Sequence, residues 1–278
     1  MKTKLIALTA AATLLLSGCG LMGGGTSEVG EKDGDVVKLT VGATPVPQGD
    51  ILRFVDENLA AEAGLDIDVR EYTDYTLPNK ALSDGDLDAN YFQHKPYLDS
   101  EIDGQGYEIT AFEPINLEPF ALFSNTVKDV KDLPEGAKVG INNDPANQGR
   151  ALKLLEQAGL IKLADGVDAV SAKLSDVKEN PKNLEFIEAD AAQLARTLQD
   201  VDASVINGNN ALEAGLSPAK DGILIESPKD NPYGNFLAAR TENKDDENIK
   251  KLNELLHTPE VKQFIEEKWS DGSVLPSF

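Results

Sequence analysis

The sequence predicts an α/β protein built as two similar lobes, and three observations carry that expectation. From Val37 onward, short β-branched runs alternate with helical patterns, which implies βαβ units and a mainly parallel sheet. The order of elements in the first half recurs in the second. A short internal match, Asp86-Leu87-Asp88-Ala89-Asn90 against Asp200-Val201-Asp202-Ala203-Ser204, follows a short helix and enters a strand in both halves. The 278 residues, 41% of them hydrophobic, suffice for one or two domains with ample core and exclude a disordered or collagen-like chain. A formal charge of −22 argues against nucleic-acid binding through a general basic surface, because phosphate polyanions are repelled.

The first residues read as an export signal. Lys2 and Lys4 form a basic start, and residues 5–16 form a largely apolar run too short to span a bilayer permanently. It ends in Leu16-Ser17-Gly18-Cys19, which resembles the lipobox of bacterial lipoproteins. Residues 1–18 are then a signal peptide, and Cys19 becomes the first mature residue, carrying diacylglycerol and an N-acyl chain. It is the only cysteine, so no intramolecular disulfide forms. No later apolar stretch approaches membrane-spanning length, which leaves lipid as the only membrane attachment. Residues 19–36, rich in Gly, Ser and acidic side chains, are expected to be a flexible tether reaching at most about 60 Å.

In the body, 39–43 reads as a strand. Residues 50–63 read as a helix with Ile51, Phe54, Val55 and Leu59 on its apolar face and Gly64 as its stop. A strand over 67–72, a short helix over 78–83 and a strand over 87–92 follow. The second half begins with a strand over 138–141. Asp144-Pro145 is an N-cap and first-turn pair opening a helix to Gly159. A strand at 184–187, a helix at 191–198 and a strand at 201–206 complete the repeat. Thr258-Pro259 opens a terminal helix to about Trp269, expected to pack back on one lobe.

Ligands bind at the carboxyl ends of strands in open α/β sheets, so two facing lobes place those ends across a cleft. This selects Tyr72, Tyr75 and the run Tyr91-Phe92-Gln93-His94 on one side, and 142–147 with Asn207 on the other. Aromatic side chains opposite amides and an arginine suit a small zwitterion with an apolar side chain. Tyr91 and Phe92 point to opposite faces of an extended strand, so one of them belongs to the core.

Several segments, taken in order, carry a family resemblance. They are Thr44-Pro45-Val46-Pro47, Tyr72-Thr73-Asp74-Tyr75, Leu87-Asp88-Ala89-Asn90-Tyr91-Phe92-Gln93-His94, Asn143-Asp144-Pro145-Ala146-Asn147-Gln148-Gly149-Arg150, Val205-Ile206-Asn207 and Asn231-Pro232-Tyr233-Gly234-Asn235. This ordered set resembles the NlpA-type lipoproteins, the methionine-binding solute receptors of ABC importers. The resemblance implies a type II periplasmic-binding-protein fold whose chain crosses between lobes twice, near 120–124 and 231–235. Lobe 1 is then 37–122 with 234–278, and lobe 2 is 123–233. It also implies a monomer without cofactor or metal, lipid-anchored and facing the outside or the periplasm, with an ABC permease and its ATPase subunits as partners.

Carried over residue by residue, the resemblance implies that Arg150 meets the α-carboxylate of the ligand, with L-methionine the first choice and another methionine species or a methionine-containing dipeptide next, aided by N–H groups at the start of its helix. Asn147, Asn207 and Asn235 would supply amide and carbonyl groups to the charged end. Tyr72, Tyr91, Phe92 and His94 would enclose the thioether. Tyr75 and Tyr233 line the cleft or brace the hinge. Two positions depart from the family pattern: Gln48-Gly49-Asp50 where many relatives have a histidine after Thr-Pro-Val-Pro, and Asn210 where relatives often have a tyrosine.

Enzyme chemistry finds little support. There are two histidines, no G-x-S-x-G elbow and a single cysteine committed to lipid. Asp84-Gly85-Asp86 starts like a calcium loop but has Ala89 and Lys95 where an EF-hand needs Gly and Glu. The competing expectation is a ligand-independent, lipid-anchored adhesion or scaffold protein.

Overall fold

The computed structural model describes residues 29–168 and 170–278; the export segment, Cys19 and the first part of the expected tether lie outside the described residues. The rest of that tether is structured. Val29 is buried, its N–H donates to Asp246 Oδ2 at 2.9 Å, and its carbonyl accepts from Asn248 Nδ2 at 3.1 Å. Strand β1 (Glu31–Asp33) then pairs antiparallel with the start of β2 (Val36–Ala43). Low apolar content predicts poor self-burial, but a short edge strand needs only a neighbour's backbone to pair with.

The first lobe continues through α1 (Asp50–Asn58), β3 (Leu65–Glu71), α2 (Leu77–Asp84), β4 (Ala89–His94), α3 (Lys95–Gln105) and β5 (Ile109–Leu117). The helix expected over 50–63 is α1 followed by a separate 3₁₀ turn (Ala60–Ala63), ended by Gly64 at φ 72°. The second lobe comprises β6 (Ala121–Phe123), β7 (Lys138–Asn142), α4 (Pro145–Gln157), β8 (Lys162–Leu163), β9 (Val177–Glu179), β10 (Glu185–Ala189), α5 (Ala191–Thr197), β11 (Ala203–Ile206), α6 (Gly208–Glu213), α7 (Pro218–Asp221) and β12 (Leu224–Ile225). The chain then returns to the first lobe as β13 (Asn235–Arg240), α8 (Glu247–Leu256), α9 (Pro259–Lys268) and β14 (Leu275–Pro276).

In the first sheet β3, β2, β4, β13, β5 and β14 lie side by side; in the second the order is β10, β7, β11, β6, β12. Each sheet is parallel only where βαβ units build it: β2 with β3 and β4, and β7 with β10 and β11. β13 and β6 are antiparallel to their neighbours. Both arrive by a crossing from the other lobe rather than over a helix, which is why a mainly parallel sheet was too simple an expectation. The crossings occupy residues 118–120 and 226–234. Ala121 and Leu122, expected in lobe 1, are therefore second-lobe residues.

Each lobe has its own core. Leu39, Val41, Ile51, Leu52 and Val55 pack with Ile249, Leu252, Val261, Ile265 and Trp269 in the first. Phe54 of α1 stacks on Phe264 of α9 at 4.3 Å, so the terminal helix packs on lobe 1. Val139, Ile141, Leu152, Leu155 and Val205 lie at the centre of the second core.

Candidate ligand-binding site

The strand ends and both crossings meet around an interlobe cavity. Of the expected site residues, Phe92, His94, Asn147, Arg150, Asn207 and Asn235 line it; Tyr75 and Tyr233, left open between cleft and hinge, do so as well. Two do not. Tyr72 follows β3 on the other side: its ring covers Gly42, where an added Cβ would lie 3.1 Å from it, and it packs beside Leu82, Leu87 and Leu98. Tyr91 is fully buried in the first-lobe core, because the alternation along β4 sends Phe92, not Tyr91, toward the cleft.

The apolar end of the cavity is an aromatic cage. Tyr75, Phe92 and Tyr97 meet pairwise at centroid distances of 5.8–6.0 Å in tilted or edge arrangements, closed from lobe 2 by Ala146. Tyr75 also reaches across the cleft, donating its O–H to Asn209 Oδ1 at 2.5 Å and accepting from Asn210 Nδ2 at 3.0 Å. The departure at Asn210 is thus a rim contact between the lobes.

His94 sits between cage and polar end. Its Nδ1 accepts the Tyr97 N–H at 3.2 Å, capping α3, and the opposite nitrogen, Nε2, is 3.1 Å from Asn147 Oδ1 across the cleft. The tautomer that satisfies both is neutral, with the proton on Nε2. Burial, and then the nearby Arg150 charge, lower its pKa to about 3. The unfolded chain takes this proton as pH falls below the ordinary value of 6.5, while the folded protein does not. The stability it contributes is therefore complete above pH 6.5 and is lost progressively toward pH 3. Between pH 7 and pH 5 the ligand-free protein is expected to lose about 2 kcal/mol that a His94→Gln variant does not, read as a larger drop in melting temperature.

Asn147 and Asn207 face the cavity, yet their amides serve the scaffold. Asn147 Oδ1 also accepts from Asn207 Nδ2 at 3.2 Å and its Nδ2 donates to Asp144, while Asn207 Oδ1 accepts from Asn142 Nδ2 at 2.8 Å. Asp144 caps α4 through the Asn147 N–H at 2.9 Å, as the Asp144-Pro145 pair predicts.

The polar end holds a residue that sequence reasoning missed. Glu118, fully enclosed in the first crossing, accepts three N–H groups on Oε1: from Gln48 Nε2 at 2.5 Å, Asn116 Nδ2 at 2.8 Å and Asn235 Nδ2 at 2.9 Å. Behind these donors stand Thr44, bonded to Gln48, and Tyr91, bonded to Asn116. Tyr91 and Gln48 therefore act on the cavity through Glu118. Burial raises the Glu118 pKa, opposed by these hydrogen bonds and by Arg150. The carboxylate passes against Gly208, where an added Cβ would lie 2.5 Å from Glu118 Cβ, so glycine is required there. Nothing in the local sequence marks Glu118, one of 48 acidic residues.

Arg150, 4% exposed, stands beside it: Nη2 donates to the Glu118 carbonyl at 3.1 Å, and Nε and Nη2 grip Glu226 at 3.0 and 2.5 Å. A buried carboxylate and a buried guanidinium side by side, with a sulfur-compatible aromatic cage at the other end, match an α-amino acid whose two charges flank one carbon. Among the described residues no cluster of His, Cys, Asp and Glu could hold a metal ion.

Known proteins resemble this chain over most of its length. The methionine-binding lipoprotein MetQ of Bacillus subtilis is 43% identical over 266 residues, 95% of this chain and 96% of that one. The D-methionine-binding lipoprotein MetQ of Escherichia coli K12 is 40% identical over 264 residues, 94% and 93% of the two chains. A nutrient binding protein from Burkholderia cenocepacia, solved bound to methionine, superposes with a TM-score of 0.83 at 45% identity, covering 86% of this chain and all of the other. The model of the NlpA lipoprotein family matches residues 39–278. With that match, two α/β lobes joined by two crossings, and a cleft between them, the chain belongs to the NlpA lipoprotein family.

Proposed function

We propose that this protein is a lipid-anchored solute receptor that captures methionine and delivers it to an ABC permease with its ATPase subunits. The observation that carries this reading is the adjacency of Glu118 and Arg150 at one end of a cavity whose other end is aromatic. Glu118 receives the ligand's ammonium, Arg150 its carboxylate, and Tyr75, Phe92 and Tyr97 its thioether. Each sulfur–aromatic contact is worth about 0.3–1.5 kcal/mol. The protein works as a binder rather than an enzyme: because the ligand touches both lobes, it favours the closed arrangement in which His94 meets Asn147 and Tyr75 meets Asn209. It acts as a monomer, exported and held by lipid on Cys19, facing the outside or the periplasm. No helix among the described residues is long and apolar enough to cross a membrane. Cys19→Ala is expected to move the protein from the membrane fraction to the soluble fraction; protein still sedimenting with membranes would rule out the lipid anchor.

The test is a thermal-melt screen of protein unfolded and refolded to strip bound ligand, against L- and D-methionine, other amino acids and methionine dipeptides. Ligand at about a thousand times its dissociation constant adds roughly 4 kcal/mol, hence a shift on the order of 10 °C. A shift with methionine supports the receptor reading, and a shift with a dipeptide alone changes only the substrate. No shift with any of them favours the adhesion or scaffold reading.

A further inference from the structure

Arg150 is held by both segments that join the lobes. From the first crossing come the Glu118 carbonyl and the Phe120 ring, whose centroid is 3.9 Å from Cζ. From the second come the Glu226 carboxylate and the Tyr233 ring, whose centroid is 4.2 Å from Cζ. The crossings are also tied to each other: the Glu226 N–H donates to the Phe120 carbonyl at 2.8 Å, and the Phe120 N–H donates to Glu226 Oε2 at 3.2 Å. The Glu226 side chain is 12% exposed. Burial alone would raise its pKa; the Arg150 charge and hydrogen bonds outweigh that and hold it below the ordinary value. Nη1 of Arg150 has no hydrogen-bond partner among the described residues, and Arg150 lines the cavity. A ligand carboxylate that meets Arg150 therefore shares one guanidinium with Glu226.

We propose that Glu226 is a positioning residue that sets ligand specificity: by part-neutralising Arg150, it limits how strongly the site prefers a free α-carboxylate over a neutral group in its place. This rests on the reading of Arg150 as the carboxylate partner. Two anions on one buried guanidinium repel each other, so a ligand carboxylate gains less than it would from an arginine lacking a counter-ion. A neutral amide at that point leaves the Arg150–Glu226 pair undisturbed and loses correspondingly little.

The experiment measures dissociation constants of L-methionine and L-methioninamide by calorimetry at pH 6, where both α-amino groups are protonated. In Glu226→Gln the ratio of amide to acid dissociation constants is expected to rise at least about fivefold over wild type. In Glu226→Asp, which keeps the charge, it is expected to stay within about twofold even where both affinities fall. A Glu226→Gln variant that weakens both ligands by one common factor makes Glu226 a brace only and overturns the proposal.

Should that variant fail to fold, the wild type decides. At pH 5, in two buffers of different ionisation enthalpy, methionine is expected to take up more proton on binding than methioninamide, because its carboxylate raises the Glu226 pKa. Equal proton counts overturn the proposal. Effects at Glu118, which meets the ammonium common to both ligands, cancel in the comparison. The other ionisable groups around Glu226 are Arg150 and Tyr233, with Lys153, Lys229 and Asp230 lining the adjoining cavity. Wild-type protein that binds neither ligand, or an Arg150→Ala variant that binds methionine unchanged, would instead overturn the reading of the site itself.

Discussion

Arg150→Ala is expected to weaken methionine binding by at least about thirtyfold. A charge-assisted contact to a buried guanidinium is lost, and truncating one partner of such a pair costs roughly 2–5 kcal/mol, where each 1.4 kcal/mol is tenfold. The substitution has a second effect that family resemblance alone does not suggest. Glu226 would be left as a buried carboxylate without its counter-ion, a loss of about 3–5 kcal/mol. The ligand-free melting temperature should fall by on the order of 10 °C. Calorimetry on the folded variant separates the two effects, and methionine affinity within a few-fold of wild type would remove Arg150 from the site. Arg150→Lys keeps the charge but cannot fork between Glu226 and a ligand carboxylate, so it should lie between wild type and alanine.

Glu118→Gln is expected to weaken methionine binding by roughly ten- to a hundredfold, since an amide cannot match a carboxylate as partner to an ammonium ion. The variant should still fold. The three N–H groups gathered on Oε1 can still be accepted by the glutamine carbonyl, so the site keeps its shape and loses its charge. Because burial raises the Glu118 pKa, methionine affinity in wild type should fall as the solution is acidified through that raised value and the carboxyl takes its proton. The Glu118→Gln variant should lack this component. Equal affinity in variant and wild type would show that the ammonium is held elsewhere.

Much of the framework was legible because its signals are local. The Asp144-Pro145 pair starts α4 where the sequence places it, since the cap is a bond between Asp144 and Asn147, three residues apart. Gly64, Gly85 and Gly159 stand at positive φ where helical patterns stop. Among the elements that escaped, β5 and α3 did so for reasons equally physical. β5 carries Pro114 in its interior, normally a mark against a strand, and the sheet accommodates it with register shifts opposite Phe236. α3 begins at a histidine whose ring nitrogen performs the capping, outside the usual Ser, Thr, Asp and Asn signature.

The site divides along the same line. By itself the sequence determined the repeated α/β order and, through the resemblance, Arg150 as the cation at the cleft. Only the tertiary structure decided that Phe92 rather than Tyr91 faces the cavity, and that Tyr91 and Gln48 serve it at one remove. It also decided that Glu118 is the buried acidic side chain at the polar end and that Arg150 is locked between two crossings. The reason is distance along the chain. A cap or turn joins residues a few positions apart and leaves its mark in neighbouring letters. Glu118 meets Gln48 across 70 positions and Asn235 across 117, and Arg150 meets Glu226 across 76. Those meetings follow from strand register and from where the chain crosses between lobes, which no short stretch of sequence encodes.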